Sequence, residues 1–156
     1  MYMDKMLEFS DSQSLATLSA AQVMVSTDIC DLGTGQTNAF GTAIYADIGK
    51  SGTLVWHTLI STAHAGGGGA TVTVSLVTKS TSASMSSGST TIDTFSIANA
   101  TAAGTHYQRT VPMDTFDRYV AVLYTGATDQ TDACILDSWI SMDKNVTDSS
   151  GGAIQT

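Results

Sequence analysis

The chain has 156 residues and a mass of 16.2 kDa, room for one domain and not comfortably for two. Only 13% of its residues are charged, against about 25% in an ordinary soluble domain. The 14 acidic against 6 basic side chains, net −8, argue against a binder of nucleic-acid phosphates, which needs clustered Lys and Arg, while a 42% hydrophobic share argues against disorder.

Ser and Thr fill the place of the missing charge and make up a little over a quarter of the chain, with one Pro (Pro112) and one Glu (Glu8). Thr and Val suit the pleated surface of a strand, and helix-forming runs are scarce, so composition favours an all-β domain. Met1 to Phe9 is apolar in clumps and reads as an extended or short-helical arm, and Ser10 to Gln13 as a turn or cap. Leu15 to Leu32 reads as a strand pair or one bent strand, Gly41 to Ile48 as the next strand, and Thr53 to Ser61 as a strand with no polar face. After the loop Gly66 to Gly69, Val72, Val74 and Leu76 alternate with Thr71, Thr73 and Ser75, the pattern of a half-buried strand. Lys79 to Thr90 reads as an exposed, mobile, low-complexity loop.

Strands are expected again at Ile92 to Ala98, at Thr105 to Val111 (ended by Pro112), at Tyr119 to Thr125, which is apolar on both faces, and at Ala133 to Met142. In the last, Cys134, Leu136, Ile140 and Met142 share one face, and Ile135, Asp137, Trp139 and Ser141 the other. About eight short strands bury themselves most simply as an antiparallel jelly roll or β-sandwich, with a small barrel as the alternative. The domain reading is an arm over residues 1–14, a jelly-roll domain over 15–143 and a flexible tail over 144–156. Cys30 and Cys134 lie in apolar stretches and read as small core residues. No run is apolar enough for a signal peptide or a membrane span, so the chain is expected to be made in a cytosol and to stay soluble, with no membrane partner.

Catalytic chemistry finds no anchor. His57, His64 and His106 form no HExxH or i, i+4 pair, there is no Gly-x-Ser-x-Gly elbow, and the glycine run lacks the Lys and Ser/Thr of a phosphate loop. Asp114 with Asp117, or Asp129 with Asp132, could approach one cation, but loop solvation is the simpler reading. No cofactor, metal or catalytic residue is assigned. Binding has more support: one core covers one face of each sheet, so the second apolar face, carrying Ile135, Trp139, Trp56 or Leu59, is either an interface or covered by loops or the arm folding back. Met3, Met6, Leu7 and Phe9 of the arm, with Ile135 and Trp139, are the candidate partner-binding residues.

The order LEFSDSQS (Leu7 to Ser14), STDICDLG (Ser26 to Gly33), VSLVTKS (Val74 to Ser80), VPM (Val111 to Met113) and RYVAVLY (Arg118 to Tyr124) resembles the capsid cement proteins of tailed bacteriophages, of the jelly-roll kind first seen on a short-tailed Bordetella phage. The resemblance spans Leu7 to Met142; the Gly66 to Gly69 and Thr81 to Thr90 stretches depart from it. It implies a non-enzymatic virion protein on the outside of the capsid, clamping adjacent major capsid subunits and associating with itself, as a dimer in preference to a trimer, with no nucleic-acid partner. It also implies a role for the FSDSQ and STDICDLG segments in anchoring the arm. Arg118 reads as a strand-entry charge near Asp114 or Asp117. The competing readings are a β-sandwich carbohydrate- or receptor-binding module, with Trp56, Trp139 or Tyr107 stacking on sugars, and a hydrolase on a β scaffold.

Overall fold

A computed structural model of the chain describes residues 7–33, 36–37, 43–44, 54–64, 70–112, 116–128, 134–141 and 154–155. The described residues form twelve β-strands: β1 (Glu8–Ser14), β2 (Val23–Val25), β3 (Cys30–Asp31), β4 (Gln36–Thr37), β5 (Ala43–Ile44), β6 (Val55–Thr62), β7 (Val72–Lys79), β8 (Thr90–Ile97), β9 (His106–Thr110), β10 (Tyr119–Gly126), β11 (Ile135–Ser141) and β12 (Ile154–Gln155). Sheet A runs β1-β11-β6-β9-β12 and sheet B runs β2-β10-β7-β8, with β3 also pairing with β10. The two-residue strands β4 and β5 form a separate ladder.

Counting β2 with β3 as one position beside β10, and setting aside β4, β5 and β12, the sandwich has eight strand positions. Sheet A then reads first, eighth, third, sixth, and sheet B second, seventh, fourth, fifth. This is jelly-roll connectivity: apart from β2 to β3, the only successive strands that stay in one of these sheets are β7 and β8. Two sheets with separate edges exclude the small barrel. All sandwich pairings are antiparallel except the short parallel β12–β9 contact.

Alternation dictates the core. Val72, Val74 and Leu76 of β7 and Val120, Val122 and Tyr124 of β10 face Phe9, Trp56, Ile60, Leu136 and Ile140 of sheet A, and all belong to one buried cluster. The Trp56 ring meets the Phe95 ring across the sheets at 5.1 Å. Cys30 and Cys134 are buried there as free thiols.

Three boundaries differ from the sequence reading. The expected arm is half strand: Glu8–Ser14 pairs with β11, and Phe9 enters the core because the strand period turns it inward. The arm's possible helical form, and Met3 and Met6, fall outside the described residues. Part of the expected flexible tail, Ile154–Gln155, forms β12 on β9. The third is the Ser-rich loop after β7, which is tied down. The Lys79 ammonium donates to the carbonyls of Ala83, Ser84 and Ser87 at 2.7–3.1 Å, and Met85 is pressed onto Val77 and Ala121 on the outer face of sheet B.

Burial pushes the Cys134 thiol up to about 11. At pH 8 in native buffer, an aromatic disulfide reagent should therefore titrate neither Cys30 nor Cys134, and should release two equivalents once guanidinium unfolds the chain. One fast-reacting equivalent in the native protein would contradict this packing.

Candidate functional site

Of the residues expected to bind a partner, Phe9 and Trp139 are buried within the chain, Leu7 and Ile135 are half-buried, and Met3 and Met6 lie outside the described residues. Leu7 packs against the core. Trp139 does lie on the outer face of sheet A, as its alternation with Leu136 and Ile140 requires, yet it is only 5% exposed. Trp56, at 1% exposure, faces the core. Among the described residues Ile29, at 36%, is the large apolar side chain that stands open to solvent. The expected surplus of greasy strand surface is thus absent from the described surface, because both outer faces are covered within the chain.

The outer face of sheet A carries a buried aromatic stack. Paired strands bring His57 of β6 beside Trp139 of β11, with the rings parallel to within 6° and 5.1 Å apart. His106 of β9 leans on the same indole at 5.5 Å. His57 Nδ1 and His106 Nε2 are 3.0 Å apart, and His57 Nε2 lies 2.8 Å from Ser141 Oγ. His57 and His106 are buried, and the Trp139 indole N–H is buried without a hydrogen-bond acceptor. Each histidine read separately is structural; no spacing in the sequence signals that they meet.

Between the sheets runs a polar seam. Ser10 Oγ donates to Gln13 Oε1 at 2.6 Å and lies 2.8 Å from the Tyr124 hydroxyl of sheet B. Gln13 Oε1 also accepts from Thr27 N at 3.1 Å, and its Nε2 donates to the Val25 carbonyl at 3.0 Å. Ser26 Oγ donates to the Asp28 carbonyl and accepts from Val122 N. The two segments singled out by resemblance, FSDSQ and the start of STDICDLG, therefore meet at the crossing from β1 to β2 and lock it. Deeper in, Trp56 Nε1 donates to Ser138 Oγ at 2.9 Å. Burial pushes the Tyr124 phenol up, with its bonds to Ser10 and Ser138 opposing the shift.

β1 bends to make these contacts. Its register breaks twice, Ser12 adopts a φ of 51°, and Ser12 N donates to Asp137 Oδ1 at 2.6 Å. Asp137 also accepts from Ser61 Oγ. This is why a polar SDSQ stretch that reads as a turn is a strand: the Ser10 and Gln13 side chains have partners between the sheets, and the Ser12 N–H has one across the strands.

The described cations are spent on the chain's own acceptors. Arg118 pairs with Asp31 through two bonds of 2.8 Å and covers the Tyr119 ring at 4.8 Å, while Asp114, one of its two expected neighbours, lies outside the described residues. Those bonds, with the Gly33 N–H, hold the Asp31 carboxyl at about 2. Arg109 pairs with Asp93, and Lys79 is enclosed by carbonyls. Among the described residues no three His, Cys, Asp or Glu side chains gather as metal ligands. Asp114, Asp129 and Asp132 lie outside them.

The sequence matches the family model described as Bbp16 over residues 9–140, from the start of the core-facing part of β1 nearly to the end of β11. No curated protein matches the chain.

Removing the amide of Gln13 takes the acceptor from buried Ser10 Oγ and the partners from Thr27 N and the Val25 carbonyl at a part-buried crossing. Gln13→Ala should cost about 2 kcal/mol or more, whereas Tyr124→Phe, which removes one hydroxyl, should cost about 1 kcal/mol. Urea unfolding followed by fluorescence of the buried tryptophans measures both; equal, negligible losses would refute the role of the seam.

Proposed function

The chain belongs to the Bbp16 family, and from that premise we propose that it is a structural protein of a tailed-phage particle. It binds the outer surface of the capsid and clamps neighbouring major capsid subunits, with no catalytic step. The observation that carries this reading is the extent of the family match, which takes in the jelly roll from β1 to β11. The family name suggests a Bordetella phage protein.

The physical character of the described surface supports the role. Its Ser- and Thr-rich exterior loses little side-chain entropy when covered, and its described cations are paired internally. Contacts of this kind are individually weak. A capsid offers many copies of the same site, and linked copies gain affinity through effective concentration. The net charge of −8 suits the exterior of a shell better than contact with packaged DNA. Self-association, as a dimer in preference to a trimer, belongs to the same proposal.

The sugar-binding alternative needs free aromatic faces. Trp56 and Trp139 are buried and Tyr107 stacks on Phe95 at 4.9 Å, so nothing favours that reading.

Co-sedimentation with emptied, expanded heads of the cognate phage tests the proposal. The full chain should pellet with the heads at a fixed stoichiometry and raise their resistance to heat. Removing residues 1–6, which spares β1, should weaken attachment through loss of Met3 and Met6 while leaving the near-ultraviolet dichroism intact. Absence of head binding together with a positive glycan array would overturn the assignment.

A further inference from the structure

Sheet A runs one strand further than sheet B on one side of the sandwich. Phe95 of β8 meets Trp56 of β6 at 5.1 Å and Tyr107 of β9 at 4.9 Å, so β12, beyond β9, extends past the point where β8 ends sheet B. A ledge one strand wide lies beside β8, and the edge of β8 is open there. The Thr94 hydroxyl donates to the Val74 carbonyl at 3.1 Å and lies 3.1 Å from Ser75 Oγ. Val74 and Phe95 are therefore the bonded pair of the ladder, and the main chain of Thr94 and Ser96 turns away from β7. The Asp93 carboxylate accepts from Thr94 N at 2.8 Å. The Thr94 carbonyl and both main-chain groups of Ser96 have no partner among the described residues. The long edge at β1 is guarded by two register breaks, by Ser12 at positive φ and by Asp28 N on the Phe9 carbonyl. The one register shift of β8 lies on the other side of Asp93 from this stretch.

We propose that this ledge takes residues 1–6 of a second copy of the chain as an added strand of sheet B, bonded to the main chain of Thr94 and Ser96. The proposal rests on the self-association named above and gives it a surface; made reciprocally, the exchange closes a dimer. Length decides between the chain's own arm and a neighbour's. β1 and β12 stand at opposite ends of sheet A, four strand spacings or about 19 Å apart. Six extended residues reach about 20 Å, so the chain's own arm is used up in crossing and has nothing left to pair with.

The chemistry of the arm matches the ledge. In an extended arm Tyr2, Asp4 and Met6 share one face. Tyr2 and Met6 suit the half-buried Phe95 and Tyr107 rings that line the step. Asp4 suits Arg109, whose side chain stays 44% exposed beside Asp93. A few main-chain bonds hold one arm weakly, and on a lattice of linked copies effective concentration makes up the difference.

Separating donor from acceptor tests this in solution without capsids, so the outcome is independent of head binding. The acceptor is the isotope-labelled full chain carrying Tyr2→Asp and Met6→Asp. The donor is the unlabelled full chain carrying Ser96→Pro, which keeps its arm and loses the outward N–H. At millimolar donor, hydrogen exchange of the acceptor's Ser96 amide should slow about tenfold or more, while that of Ile97, which faces β7, stays as it was. A donor that also carries Tyr2→Asp and Met6→Asp should have no effect. Unchanged Ser96 exchange, or equal slowing by the arm-substituted donor, overturns the proposal. Should Ser96→Pro not fold, a concentration series decides the matter. Ser96 protection that rises with concentration in the wild type and not in the arm variant supports the exchange; protection that is flat in the wild type, or rises equally in both, overturns it.

Discussion

A strand without a polar face must be covered on both sides, and this constraint shapes the molecule. β6 and β10 are such strands, and they sit at interior positions of sheets A and B. Their inner faces meet in the common core. Their outer faces are closed by different devices. Sheet B is capped by Met85, brought over Val77 and Ala121 by a loop whose backbone carbonyls are gathered around one ammonium group. On sheet A, two imidazoles and an indole on adjacent strands lie against one another. Neither device leaves a large apolar patch on the described surface.

The seam between the sheets does a different job. Hydrophobic burial is non-directional and tolerates slippage; hydrogen bonds buried at a crossing do not. Gln13 addresses Ser10 on its own strand, Thr27 beyond β2 and the Val25 carbonyl in sheet B, and each bond has a defined length and direction. A one-residue slip of β1 would point Gln13 outward and leave these partners unsatisfied. The seam thereby specifies which register of a Ser- and Thr-rich strand is native.

Much of this was legible from alternation alone. The strand β7, the two-faced apolar character of β10, and the division of β11 into a core face and an outer face follow from period two, and the all-β sandwich follows from them. What escaped was long-range. Ser10 and Gln13 look like turn residues because their partners are 114 and 14 positions away, at Tyr124 and Thr27. Met85 lies in a run that resembles featureless loop, and only the carbonyl cage of Lys79 explains how it reaches a sheet. Trp139 was correctly placed on the outer face, but the rings it lies against belong to histidines on two other strands, a juxtaposition that depends on sheet order and not on spacing. For the proposed role outside a capsid, the result moves the contact chemistry from aromatic anchors to a hydroxyl-rich exterior.

The pairing of the first and last sandwich strands has a further consequence, for biosynthesis. Ser12 N is bonded to a carboxylate 125 positions later, and β11 lies between β1 and β6 in sheet A. As the chain emerges from a ribosome, β1 has no neighbour in its own sheet until β11 appears, so the sandwich cannot close before nearly all of it has been made. The hairpin of β7 and β8 can form early, but the slow step is a search across almost the whole polypeptide, as expected for a topology of high contact order. Until then the inner side of β1, with Phe9 on it, stays open to other nascent chains, and rapid crowded expression would favour aggregation over release of finished subunits.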